Sequence, residues 1–191
     1  MKDYPFSGDI HLLNKIYNFI HNHKIKSVIE TGTWMGRTTQ LFSMMVDNVY
    51  TIEVNEEYYK QASFLNDYDN IRRYLGDSAE ILWEILRYTA KDPILFYLDA
   101  HWGDSWPLLG ELKTISKYTV EKPIIVIHDC YNPYRPEYGY DEYNGQRLDY
   151  EYVKPYLDRI YKNPTVFWNK EASGEKRGVL FALEGKWLML W

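Results

Sequence analysis

Apolar positions along the chain fall into two periods. Short runs without helical spacing lie at residues 27–30, 49–53, 71–75, 94–99, 124–128, 165–168 and 179–183, and each reads as a β-strand. Between them, residues 12–20, 38–45, 56–65, 79–88, 108–118 and 153–161 carry apolar side chains three and four apart and read as helices. Strand and helix alternate through most of the chain. Right-handed crossovers follow from that order, so the pattern predicts a doubly wound α/β fold: a seven-stranded, mostly parallel sheet with helices on both faces. The runs Ile94-Leu95-Phe96-Tyr97-Leu98 and Ile124-Ile125-Val126-Ile127 are apolar without alternation, as central parallel strands are. Residues 171–176, a polar stretch containing Gly174, are too few for a helical crossover, so the last strand is expected to run antiparallel to the one before it.

Nothing divides the 191 residues into parts, and a single domain, 1–191, is expected, with an N-terminal helix within residues 1–24. Residues 131–148 break the pattern. They hold Pro133, Pro136, Gly139, Gly145 and five tyrosines without a stable period, and they follow the carboxyl end of a predicted strand. Ligands bind at that edge of open α/β sheets, so the stretch reads as a substrate lid, the alternative being a disordered tyrosine-rich excursion. Tyr134, Arg135, Tyr138 and Tyr140 are its candidate acceptor contacts, because they offer stacking faces and donors.

The formal net charge of −5 lacks the basic surplus with which proteins neutralise nucleic-acid or membrane phosphates, and neither partner is expected. One cysteine, Cys130, can form neither an internal disulfide nor a zinc cage, which points to a reducing, cytoplasmic compartment. No apolar segment follows Met1-Lys2-Asp3-Tyr4-Pro5, and no run reaches the ~18 apolar residues of a spanning helix, so a soluble, unprocessed chain is expected.

Candidate chemistry begins at the first strand. Residues 28–39, Val-Ile-Glu-Thr-Gly-Thr-Trp-Met-Gly-Arg-Thr-Thr, read as strand, two-glycine turn and helix start. Gly32 would let backbone approach a ligand, the free amides of the helix start would hold a small anion, and Thr38 or Thr39 would cap the helix. The spacing is Gly-x-x-x-Gly, with Thr33 and Trp34 where a pyrophosphate needs glycine, which argues against NAD; neither is it a phosphate-binding Gly-Lys-Ser/Thr loop. Glu53 follows Gly32 by 21 positions, near the ~20-residue interval at which a carboxylate meets ribose hydroxyls. Asp77 and Ser78 either contact a base or only cap the next helix.

The series formed by residues 28–38, Thr51-Ile52-Glu53-Val54-Asn55, Gly76-Asp77-Ser78 and Leu98-Asp99-Ala100-His101-Trp102 resembles the successive motifs of class I S-adenosylmethionine-dependent methyltransferases, over residues 25–185. The resemblance implies a Rossmann-like sheet with an antiparallel last strand and S-adenosylmethionine as cofactor. It implies Glu30 and Gly32 beside the methionine moiety, Glu53 on the ribose, Asp77 and Ser78 on the adenine, and His101 and Trp102 closing over it. Thr33, Gly36, Thr38, Val54 and Asp99 belong to the same motifs and are carried as cofactor contacts.

Asp99 and Asp129 end the fourth and fifth predicted strands and project at one sheet edge. Two such carboxylates can hold a divalent ion such as magnesium, which would acidify a bound hydroxyl; alternatively His128 or Asp129 abstracts the proton without metal. The arrangement is similar to catechol-type and macrolide-sugar O-methyltransferases. It departs from the catechol type at Cys130, where that type has asparagine, and in lacking a lysine after His101-Trp102; Asp104 is a candidate third oxygen. The expectation is therefore methyl transfer to a hydroxyl of a small molecule or sugar, with an inactive cofactor-binding domain and a nicotinamide oxidoreductase as alternatives. Trp34, Trp106 and the terminal tryptophans read as packing residues.

Overall fold

The structure is a computed structural model that describes residues 4–89, 91–101, 106–118 and 123–185. The first half of the chain forms α1 (Ile10–Asn22), β1 (Ser27–Thr31), α2 (Arg37–Ser43), β2 (Asn48–Glu53), α3 (Glu56–Gln61), β3 (Ile71–Leu75) and α4 (Ser78–Thr89). The second half forms β4 (Ile94–Leu98), α5 (Leu108–Tyr118), β5 (Ile124–Ile127), β6 (Glu142–Tyr143), β7 (Gln146–Arg147), α6 (Tyr150–Ile160), β8 (Pro164–Trp168) and β9 (Leu180–Glu184). Seven of the strands make one sheet in the order β3-β2-β1-β4-β5-β9-β8, with β1 to β5 parallel. The last strand, β9, inserts antiparallel between β5 and β8, as the short polar connection predicted.

Both sheet faces are covered because β4 and β5 are apolar at every position and β1, though it carries Ser27, Glu30 and Thr31, is buried along its whole length. Val28, Val49, Leu95 and Val126 face Leu12, Ile16 and Phe19 of α1 and Phe42 of α2. Their neighbours Ile29, Phe96, Ile125 and Ile127 face α4, α5 and α6 on the other side. Alternation along each strand thus divides the apolar residues between two layers of helices. Truncating a fully buried contact such as Leu112→Ala would cost about 2–5 kcal/mol.

Local chemistry sets the helix ends. Asp9 begins α1 by accepting from the His11 and Leu12 amides at 2.9 and 3.2 Å. Asp149 accepts from the Tyr152 amide at 3.0 Å, so α6 starts at Tyr150, earlier than the apolar period alone predicts. The expected cap on α2 is corrected: that helix starts after Gly36 (φ +71) with no side-chain cap. Thr38 instead accepts from the Phe6 amide at 3.1 Å, and the Thr39 hydroxyl donates to buried Glu30. Among the described residues, no helix is long and apolar enough to cross a membrane.

Candidate active site

The chain runs outward from β1 to β3 and then returns to place β4 on the other side of β1. Loops leaving the carboxyl ends of β1 and β4 therefore diverge, which opens a crevice at this switch point. The crevice has a volume of about 650 Å³, in the range of small-molecule sites. Gly32, Trp34, Glu53, Val54 and Ser78 line one stretch of it; His101, Asp129, Asp141 and Arg177 line another, with Asp99 also on its wall.

Gly32 has φ +86, and a Cβ there would stand 2.6 Å from the Asp99 carbonyl oxygen. The glycine is required by the close passage of the β1 and β4 chain ends, whether or not a ligand is bound. Two residues on, Trp34 is left-handed (φ +46) and its amide donates to Glu53 Oε2 at 2.7 Å. The Asn55 amide donates to Glu53 Oε1 at 2.8 Å. Glu53 is thus clamped at the end of β2 with each oxygen holding one backbone donor and keeping a second lone pair. A clamped, crevice-lining carboxylate with spare acceptor capacity fits a vicinal diol.

The structure separates the predicted cofactor residues into two groups. Gly32, Glu53, Val54, Ser78, Asp99 and His101 line the crevice, whereas Glu30, Thr33, Gly36, Thr38 and Asp77 do not. Glu30 is buried beneath it, where Thr51 Oγ1 donates to its Oε2 at 2.7 Å and burial pushes its carboxyl up to about 8. Thr33 shares a 2.6 Å hydroxyl hydrogen bond with Thr51. A Cβ on Gly36 would meet Leu65 at 2.8 Å, so its conformation serves the packing of the neighbouring turn. Asp77 caps α4, accepting from the Ala79 amide at 2.8 Å, while the Ser78 hydroxyl donates to Glu111. Trp102 and Asp104 lie outside the described residues.

Asp99, His128 and Asp129 do converge. His128 Nδ1 lies 3.2 Å from Asp99 Oδ1 and 3.0 Å from Asp129 Oδ1, ion-pair contacts that are not aligned as hydrogen bonds. Burial alone would lower the imidazole, but the two flanking carboxylates outweigh it and hold His128 protonated well above its ordinary range. In that protonated state the ring has no lone pair free to accept a proton. Burial raises Asp99, with His128 opposing. The same burial acts on Asp129, yet His128 and Arg177 prevail and hold that carboxyl well below the usual range. Asp129 itself is left-handed (φ +59), a conformation that turns the chain out of β5 into the following loop.

Arg177 completes this end of the crevice. Its Nε donates to Asp129 Oδ1 and its Nη2 to Asp141 Oδ1, the latter at 2.6 Å. Among the described residues two groups have the ligand atoms for a metal ion: Asp99, His128 and Asp129, and His101, Asp129 and Asp141. Both depend on Asp129, whose Oδ1 already faces two cations. The donor set does not fit magnesium at Asp99 and Asp129, because a hard dication would sit against a guanidinium and an imidazolium.

Residues 131–148 are ordered by pairing with neighbouring segments of the chain. The Tyr131 amide donates to the Leu148 carbonyl at 2.7 Å, and the Asp141 amide to the Asp129 carbonyl at 2.9 Å. Gly139 pairs with the chain at Lys176 and Gly178, and β6 and β7 form a small hairpin. None of the four predicted acceptor contacts lines the crevice. Tyr134 packs edge-on to Trp168, Arg135 Nε and the Tyr138 hydroxyl donate to the Lys170 carbonyl, and Tyr140 packs edge-on to Tyr131. The loop reaches the crevice through Asp141 instead, whose Oδ2 accepts from the Tyr143 hydroxyl at 3.3 Å.

Sequence reasoning missed Ser7, Trp34, Asp141, Glu175 and Arg177 as crevice residues. Trp34 had a local signal in its place between the two turn glycines; it projects at the crevice and is not a packing residue. Trp106 does pack, against Tyr143 and Tyr152. Arg177 carried no local signal, because its partners come from elements far from it in sequence. Cys130 is buried and burial pushes its thiol up, so it is an inert core residue.

No protein-family profile and no curated protein matches this chain. Solved structures do match it in fold. An O-methyltransferase from Bacillus cereus in complex with SAH superposes with a TM-score of 0.63 at 15% identity, covering 95% of this chain and 84% of that one. A Staphylococcus aureus protein provisionally named a caffeoyl-CoA O-methyltransferase gives 0.63 at 19% identity, over 91% and 83%. TomG from Streptomyces achromogenes, an O-methyltransferase involved in tomaymycin synthesis and solved with SAM, gives 0.62 at 12%, over 88% and 77%. The chain shares the fold of these O-methyltransferases. A shared fold leaves the acceptor open.

Proposed function

We propose that the crevice binds S-adenosylmethionine and that the protein transfers its methyl group to a hydroxyl of a small molecule or sugar. The observation that carries this reading is Glu53: a carboxylate clamped by two backbone amides, lining an open crevice at the sheet's switch point, with a lone pair spare on each oxygen for a ribose diol. The fold shared with SAM- and SAH-bound O-methyltransferases supports it. In this reading Gly32 and Trp34 border the cofactor, Ser78 and Val54 flank its nucleoside, and Asp99 sits at the turn toward the acceptor. The bound cofactor supplies an electrophilic methyl group on a sulfonium; the acceptor oxygen's electron pair forms the C–O bond while the C–S bond breaks onto sulfur.

Orientation and exclusion of water fall to the protein. The acceptor hydroxyl must also lose its proton. Asp99, raised by burial, is a better proton acceptor than Asp129, which His128 and Arg177 hold ionised. Asp129 then serves as a hydrogen-bond acceptor that orients the hydroxyl.

Calorimetry with S-adenosylhomocysteine tests the reading. Saturable binding by the wild type is expected, weakened about 10- to 100-fold in Glu53→Ala by loss of charge-assisted hydrogen bonds. Folded protein that binds neither S-adenosylmethionine nor its product refutes it. A second reading, a domain that binds cofactor without turnover, is favoured by the mutual neutralisation of Asp129, His128 and Arg177. Labelled methyl transfer to any acceptor, lost in Asp99→Asn with S-adenosylhomocysteine binding intact, rules it out.

A further inference from the structure

The guanidinium of Arg177 is held from two directions. On one side it donates to Asp129 and Asp141. On the other it lies against the backbone of Gly139, where a Cβ would come within 2.7 Å of its Nη1. The pairing of the Gly139 and Gly178 amides with the facing chain fixes the backbone on both sides of the arginine. Each set of residues able to ligate an ion shares Asp129 with this arginine, and one of them shares Asp141 as well. An incoming dication would have to sit beside a guanidinium that the loop keeps in place.

We propose that Arg177 is the resident cation of this site, standing where a divalent ion would otherwise be held. It gathers the strand-end carboxylate Asp129 and the loop carboxylate Asp141 into one wall, and the site works without a metal. A guanidinium suits this role because its fixed fork of donors can serve two carboxylates at once and cannot be deprotonated. Arg177 Nε takes Asp129 Oδ1, and no donor among the described residues engages Asp129 Oδ2, which leaves that oxygen for the acceptor. Arg177 is thus a positioning residue that acts through Asp129. The acceptor's role rests on the methyl-transfer reading; the cation assignment does not.

Manganese, followed by the loss of its free-ion resonance signal, tests the assignment in the full chain without turnover. The wild type and Arg177→Lys are expected to leave the ion free up to about 1 mM, the weak end of protein cation sites. Arg177→Gln removes the cation and leaves the carboxylates uncompensated, so it should gain about one ion per chain, at least about tenfold tighter than wild type. Asp129→Asn in that background should abolish the gain. An arginine with a merely structural role would produce no metal site on removal. Stoichiometric manganese binding by the wild type, lost in Asp129→Asn, overturns the proposal, as does a folded Arg177→Gln that gains no ion. Should Arg177→Gln fail to fold, the wild-type titration still decides. Calorimetry with S-adenosylhomocysteine on the same samples reads the cofactor hypothesis separately: protein that binds neither nucleoside nor ion loses the methyl-transfer reading and keeps the cation assignment.

Discussion

Glu30 sits buried under the floor of the crevice. Burial raises its carboxyl to about 8, and the Thr39 and Thr51 hydroxyls offset only part of that. Glu111, buried against Ser78, is raised by the same cause to about 7. Both groups bind protons more tightly folded than unfolded, where a glutamate titrates near 4.5. The folded state therefore holds more protons between those values, and stability falls as pH rises from about 4.5 toward 8. Urea denaturation at a series of pH values should show that decline, and Glu30→Gln should flatten it while Glu111 keeps its smaller share. A stability that rises across that window would mean that Glu30 is ionised in the fold. The same residue shows how motif position and side-chain direction part company. Glu30 was legible as a motif residue, but the alternation of β1 turns it into the core beside Thr51, and Glu53, at the end of β2, takes the crevice.

At the scale of elements, the sheet edge and the 131–148 loop depend on each other. Gly178, just before β9, passes so close to β5's extension that a Cβ would stand 2.1 Å from the Cys130 carbonyl oxygen. Gly178→Ala must push two backbones apart and is expected to cost about 1–3 kcal/mol or more, read as a lower urea midpoint. Gly145, in the β6–β7 turn, has φ +76 but open space around it, so Gly145→Ala should cost only the left-handed strain of about 1 kcal/mol. Equal costs at the two positions would show that the loop does not pack on the sheet as described. The strands and helices themselves were legible because each carries its own period. The loop was not, since its order comes from pairing with residues around Gly178 and from Tyr131–Tyr140 and Tyr134–Trp168 edge contacts, none of which leaves a period in the chain.

For the molecule as a whole, the switch point between β1 and β4 places an open crevice above two separately packed helical layers. A ligand bound there stabilises the folded state by mass action. S-adenosylhomocysteine at about 100 times its dissociation constant should add about 2.7 kcal/mol, seen as a raised Tm, whereas NAD should leave the Tm unchanged. A shift with NAD alone would point to a nicotinamide cofactor instead.

The sequence by itself determined the strand and helix order, the antiparallel last strand and the positions of Gly32, Glu53, Asp99 and Asp129 along one edge. Local periodicity, the short polar stretch at residues 171–176 and the placing of ligand residues at strand ends are enough for that. Only the tertiary structure decided which motif residues face the crevice and which serve the core. It alone brought Arg177 to Asp129, 48 positions away, and to Asp141, 36 positions away. Contacts of that kind are set by how distant segments pair, and no local pattern of hydrophobic and polar residues records them.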